Sequence, residues 1–357
     1  MFQIGILSRN EDTVLTTKST AASGVAQTTE IREIWHYTPT LPIEQAAYFE
    51  HPVTLKRVGS YLISVWKPTG LRFLILLVAV LAWTWFTPDI QRAVSFQWDW
   101  MFEILLRNFC IMLLVAGGLH LFLYTFRRQG DDLRYDTRAV VKKKEVFHFN
   151  DQVRDNMFWT IVGSVPIGTL WECVLLWCFA NGHIDLIEFM DNPLWFISLF
   201  LIIPVWSGFH FYWYHRMLHI KPLYRSIHHW HHKNVNTGPW SGHAMHPLEH
   251  VLLFSDLLLY FLIACHPIHV IFNAMLHTIG GPTSHCGYHQ VRLTSRFRLQ
   301  LGDFMHQLHH RFIDCNYGTH EDPWDKVFGS FHNGTAAADR YINERRRRLY
   351  ASKKNTT

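Results

Sequence analysis

Ten histidines between His215 and His310 fall into four spaced groups: His215-x3-His219, His228-x2-His231-His232, His285-x3-His289 and His306-x2-His309-His310. Neutral imidazole is a strong ligand for iron, zinc, copper and nickel. Residues three and four apart share a helix face, so each group aims two or three rings at one point. The neighbours His231 and His232 diverge by about 100° on a helix, which suits two metals, one served by each. Ten ligands are too many for one ion, and the pattern predicts a two-metal centre. Gly287 interrupts the third pair. Asp303, three residues before His306, is placed to accept that ring's second N–H and fix its tautomer. His246 and His250, also four apart, flank Glu249 behind a Pro247 suited to a first helical turn. These three read as residues supporting the ligands. His229 is left off the ligand set, and His210, His243, His266, His269 and His277 read as packing, interfacial or substrate-lining.

The elements that must position these rings are membrane spans. Hydrophobic residues make up 49% of the 357-residue chain, charged residues 17%, and there are 15 Trp, a bias of bilayer proteins with interfacial aromatics. Four apolar runs, 71–86, 104–126, 157–180 and 194–214, are long enough or nearly so for a core that takes about 20 helical residues to cross. Two shorter runs, 251–264 and 267–280, predict a re-entrant or partly inserted hairpin turning at His266-Pro267. The expected fold is therefore an all-α integral membrane protein. It has about four spans, the short hairpin and a helical cap holding the histidines.

Loop charge sets the orientation. Lys56, Arg57, Lys67 and Arg72 flank the first span, and Arg127, Arg128, Arg134, Arg138 and Lys142 to Lys144 follow the second. The opposite loops carry only Arg92 between them. The positive-inside rule then predicts a multi-pass protein with both termini and the metal site on the cytoplasmic side. The net charge of +5 implies lipid headgroups, not nucleic acid, as its counterpart. Residues 1–30 lack an apolar segment and do not read as a signal peptide. The expected divisions are a poorly ordered segment 1–50, a transmembrane hairpin with its basic loop 51–149, a catalytic domain 150–332 and a basic tail 333–357. The six cysteines form no CxxC pair and read as reduced core residues.

The stretches His215-Arg-Met-Leu-His219, Leu223-Tyr-Arg-Ser-Ile-His-His-Trp-His-His232, His246-Pro-Leu-Glu249, Asn316-Tyr-Gly318 and Trp324-Asp-Lys-Val-Phe-Gly329 resemble the fatty acid hydroxylase/sterol desaturase superfamily over roughly residues 150–332. The resemblance implies that the ten histidines hold two non-heme iron ions. It also implies O2-dependent hydroxylation or desaturation of a lipid C–H bond, of sterol or fatty-acyl type. Only eight residues separate His219 from His228, closer than in membrane acyl desaturases. Sterol C5-desaturases usually have Asp where Glu249 stands. No His-Pro-Gly-Gly heme motif occurs, so the two electrons are expected from a separate cytochrome b5- or ferredoxin-type donor with its reductase. An apolar tunnel lined by Trp206, Phe209, Phe211 and Trp213 is the expected lipid route. The other readings of the pattern are a membrane metal transporter, for which His120 lies within a span, and a zinc-dependent membrane hydrolase. Transport would need ionisable residues facing a path at mid-bilayer depth. A hydrolase would need a general base, for which Glu249 is the candidate.

Overall fold

The computed structural model describes residues 35–44, 46, 52–67, 70–142 and 144–351. Helix α1 (Leu55–Trp66) meets α2 (Leu71–Phe86) at a bend of 48°. A Cβ on Gly70 at this break would lie 2.3 Å from the Val65 carbonyl oxygen, so the close turn requires glycine. Helices α3 (Trp98–Thr125), α4 (Gln152–Ala180) and α5 (Pro193–Leu218) are each long and apolar enough to cross a bilayer, and the bent pair α1–α2 meets that measure only when its two parts are counted together. Phe102, Leu106, Leu114, Leu170, Ile197 and Leu201 are all exposed on these helices, as a surface solvated by hydrocarbon requires. The chain is a multi-pass, essentially all-α membrane protein. α1 buries none of its residues against the rest of the protein, and its Leu55 and Ile63 are exposed beside Lys56 and Arg57, the pattern of an interfacial helix.

The hairpin goes deeper than its apolar runs predict. Its first limb is α7 (Pro247–Leu253) continued by a 3-10 stretch, Phe254–Phe261. Its second is α8 (Pro267–Ser284), and both Pro247 and Pro267 stand in the first turn of their helices. Each limb is about 27 Å long, because a 3-10 residue rises about 2.0 Å against 1.5 Å in an α-helix. The turn reaches the loop between α4 and α5, where Cys265 N–H donates to the Asp185 carbonyl (3.0 Å) and Ile187 N–H to that of Cys265 (3.1 Å). Fourteen of the eighteen residues of α8 are buried, which makes it the central post of the bundle, not a shallow insertion. His266 and His269 are capping residues here: His266 Nδ1 accepts from Ile268 N–H (3.1 Å) and His269 Nδ1 from His266 N–H (3.0 Å).

At the other end of the bundle a cap forms from α6 (residues 221–232), a two-residue hairpin pairing β1 (Val291–Arg292) with β2 (Arg298–Leu299), α9 (Phe304–Phe312), α10 (Trp324–Val327) and α11 (Ala336–Ala351). Two expectations change. Residues 1–34 lie outside the described residues, but within the segment read as poorly ordered Trp35 is buried with Tyr135, Phe304, Leu308 and Ala336. The basic tail is helical and docked: Arg346 Nε pairs with Asp314 Oδ2 (2.8 Å) and Arg345 donates to the Asp314 carbonyl (2.8 Å).

Candidate metal centre and substrate cavity

Nine of the ten histidines converge. His215, His219, His228, His232 and His309 form one group, and His231, His285, His306 and His310 a second, with the donor nitrogens of each group within 4.8 Å of one another. His215 leaves the end of span α5. His228, His231 and His232 come from α6, where a π-turn over Tyr224–His228 widens the helix. Along α6 and again along α9 adjacent residues serve different groups, His231 against His232 and His310 against His309. Their rings stand 5.7 and 5.8 Å apart.

The nitrogen spacing in each group fits a bound metal ion. His215 Nε2 and His228 Nε2 are 3.0 Å apart, and His232 Nε2 lies 3.0 Å from His228 Nε2 and 3.1 Å from His309 Nε2. In the second group His285 Nε2 stands 3.0 Å from both His306 Nε2 and His310 Nε2 and 3.2 Å from His231 Nε2. For metal–nitrogen bonds of about 2.1 Å, ligands at right angles lie about 3.0 Å apart and tetrahedral ones about 3.4 Å. Four of the second ring nitrogens are committed, whereas Nδ1 of His231, His232 and His310 has no partner among the described residues. His215 Nδ1 donates to the Tyr317 carbonyl (2.6 Å), His309 Nδ1 to that of Cys315 (2.6 Å), His285 Nδ1 to that of Gly281 (2.9 Å) and His228 Nδ1 to Glu249 Oε1 (2.7 Å). A proton on Nδ1 leaves Nε2 of a neutral ring as a lone pair. His215 and His228 therefore face lone pair to lone pair at 3.0 Å. That contact is repulsive unless a positive ion sits between. Burial, then mutual repulsion among neighbouring rings, holds His228, His231, His232, His306 and His310 well below the usual imidazole pKa. His285 falls to about 3. Neutral rings are the form that ligates.

The histidine-rich part of the chain has relatives. Residues 200–330 match the sequence model of the family described as fatty acid hydroxylase. Human lathosterol oxidase is 25% identical over 262 residues, 72% of this chain and 85% of that protein. Rat lathosterol oxidase is 31% identical over 155 residues, and a Delta(7)-sterol 5(6)-desaturase of Aspergillus fumigatus is 26% identical over 175. Those two matches cover 43% and 47% of this chain and 48% of either relative, about half its length. The histidine-rich region, residues 200–330, thus matches the fatty acid hydroxylase family, and sterol desaturases are among its relatives. No solved structure matches the chain.

Of the four supporting residues, Glu249 takes the part expected of it and Asp303, His246 and His250 take others. Glu249 is 1% exposed and holds His228 directly. Asp303 does not reach the His306 ring; its Oδ1 caps α9 by accepting the His306 backbone N–H (3.1 Å). His246 caps α7, its Nδ1 accepting from Leu248 N–H (3.2 Å), and its ring packs on Trp230. His250 Nε2 donates to the His243 carbonyl (3.1 Å), away from both groups. His289 is the histidine that stands apart. α8 stops at Ser284, Gly287 turns the chain at φ +77°, and His289 Nδ1 lies 3.3 Å from the Tyr135 hydroxyl.

The carbonyls that aim His215 and His309 belong to residues that ligand spacing could not find. Asn316 sits between them at φ +51°, a left-handed conformation that Asn tolerates. Its Nδ2 donates to the Met305 (3.1 Å) and His332 (3.0 Å) carbonyls, and its Oδ1 accepts the His332 N–H (2.7 Å). Asp325 fixes the next turn, accepting from Tyr317 N–H (3.0 Å), Gly318 N–H (2.7 Å) and Ser330 Oγ (2.6 Å). The signal was in the sequence as Asn316-Tyr-Gly and Trp324-Asp, whose task is to point two backbone oxygens.

Beside the ligands lies a cavity of about 430 Å³ lined by His215, His228, His231, His285 and His306 together with Ile75, Pro204, Phe211, Met245 and Leu253. Its size and largely apolar lining suit a small-molecule ligand. Of the four aromatics expected along a tunnel, only Phe211 lines it. Phe209 and Trp213 turn outward to pack on Trp324, and Trp206 Nε1 donates to the Asp256 carbonyl (2.9 Å). Arg72 and Glu321 form an ion pair where α2 meets the cap, and both line the cavity.

Proposed function

We propose that the chain is a membrane-bound, O2-dependent di-iron oxidase that hydroxylates or desaturates a C–H bond of a lipid of sterol or fatty-acyl type. The observation that carries this is the pair of all-nitrogen groups, five and four histidines, with His215 and His228 facing lone pair to lone pair in the first, bordering an apolar cavity. All-imidazole donors suit iron, zinc or copper and disfavour calcium or magnesium, and the family resemblance selects iron. Bound iron would supply the activation of O2 that imidazole and carboxylate side chains cannot. The residues named here do the positioning. Glu249 holds the proton on His228 Nδ1, the Tyr317, Cys315 and Gly281 carbonyls hold those on His215, His309 and His285, and Nε2 of each ring is kept free. The apolar lining excludes water and holds a hydrocarbon against the ligand set.

The catalytic unit is residues 150–332, the two electrons come from a separate cytochrome b5- or ferredoxin-type donor, and the metal centre faces the cytoplasm. The basic loops at the histidine end and the sparse charge at the other support that orientation. Lipid profiles of a host making the intact chain or His231→Ala, under air, test the reading. A lipid that gains one oxygen or loses two hydrogens only with the intact chain supports it. Identical profiles, with folded protein and electron donor present, refute it.

A further inference from the structure

Two ionisable side chains stand inside the membrane body, apart from the nine converging rings and yet against the cavity. His277 of α8 lines the cavity, and its Nε2 lies 2.8 Å from Asp256 Oδ2 on the other limb of the hairpin. Asp256 is fully buried, and its Oδ1 has no hydrogen-bond partner among the described residues. Ionisable groups at such depth are costly and stand where a polar ligand or a proton needs them. The cavity is largely apolar, with Ile75, Pro204, Leu253 and Leu276, and its polar lining includes Ser207 and Tyr214.

The pair has a defined polarity. With Nε2–H donated to the carboxylate, a neutral His277 ring leaves Nδ1 as an acceptor toward the cavity. An acceptor in a largely apolar lining favours a neutral donor. A hydroxyl satisfies it, a ketone brings no hydrogen, and a carboxylate or phosphate brings charge to a cavity whose Arg72 is already paired with Glu321. His277 precedes the metal-group residue His285 by eight residues of α8, a rise of about 12 Å.

We propose that the His277–Asp256 pair anchors the hydroxyl of a lipid alcohol about two helical turns below the histidine centre, and so fixes which carbon meets the metals. This inference rests on the lipid-oxidation reading above. It makes His277 a specificity residue.

The test uses the full-length, iron-bearing chain in nanodiscs and measures displacement of a fluorescent sterol by a sterol alcohol and by its methyl ether. His277→Gln separates a structural role from a binding one, because its amide nitrogen reaches the Nε2 position and keeps the donation to Asp256 while Nδ1 is lost. The intact protein should prefer the alcohol roughly three- to tenfold, the worth of one net hydrogen bond. His277→Gln and His277→Leu should bind both lipids equally with iron content unchanged. A preference that survives His277→Gln, or one absent from the intact protein, overturns the anchor. Conversion of the bound alcohol on adding reductant and O2 is read separately. Selective binding without conversion strikes the oxidase reading and leaves the anchor standing.

Discussion

Glu249 offers the sharpest way to perturb the centre without touching a ligand. It is 1% exposed, its Oε1 accepts the His228 Nδ1 proton at 2.7 Å, and its Oε2 has no hydrogen-bond partner among the described residues. The contact is therefore its main tie. Partners of this kind raise ligand basicity and fix the ring, and losing one typically costs 10–100-fold in metal affinity, about 1.4–2.7 kcal/mol. Glu249→Gln keeps an oxygen in place for the His228 Nδ1–H, so its loss should fall at the low end, near tenfold. Glu249→Asp withdraws the carboxylate by one carbon–carbon bond of about 1.5 Å, stretching the contact to about 4 Å, beyond hydrogen-bond range. It should behave like Glu249→Ala, near the upper end. The assay is iron retained per chain against a graded chelator, with folding followed by thermal melting. Affinities in the order wild type, Gln, then Asp with Ala are predicted. Wild-type retention in Glu249→Ala, or Asp as good as Glu, refutes the role.

Four further outcomes follow from the same geometry. His289→Ala should keep the wild-type iron content, since that ring stands outside both groups, whereas His285→Ala should lose iron from the second group; metal analysis separates them. Asn316→Ala removes three buried hydrogen bonds and the residue suited to φ +51°, and should lower stability by about 2–4 kcal/mol and weaken iron retention, read by melting and metal analysis. Gly242→Ala would place a Cβ 2.2 Å from the Gly281 carbonyl oxygen of α8, where overpacking costs about 1–3 kcal/mol, seen as a lowered Tm. Iron-depleted protein should lose stability as pH falls below about 6.5. Burial lowers the folded-state pKa of His228, His231, His306 and His310, and that of His285 to about 3. The unfolded chain then takes up protons first, and stability rises with pH through that window. A melting temperature flat between pH 7 and pH 5 contradicts it.

Helical spacing made most of the centre legible. Rings three and four apart share a face, and neighbours diverge, which is how His231 and His232 come to serve different groups. It failed at His289 because Gly287 breaks the helix, and at Asp303 because an N-cap carboxylate is drawn to backbone N–H groups before it reaches a ring. The three long spans, and the apolar run of α2, were legible from composition. The depth of the hairpin was not, because residues 254–261 rise as a 3-10 helix and α8 continues past its apolar run to Ser284. The carbonyls of Cys315 and Tyr317 carry no residue type, so only the folded turn around Asn316 reveals their aim. Trp35 likewise gives no periodic signal, and its place against Phe304 depends on the cap.

The central claim is that nine histidines hold two irons in separate groups. Its most direct test is iron stoichiometry with Mössbauer spectra on the purified full chain, beside His309→Ala and His310→Ala. The account predicts two irons per chain in nitrogen-rich environments, with each variant depleting a different one. One iron per chain, or the same spectral component lost in both variants, contradicts it.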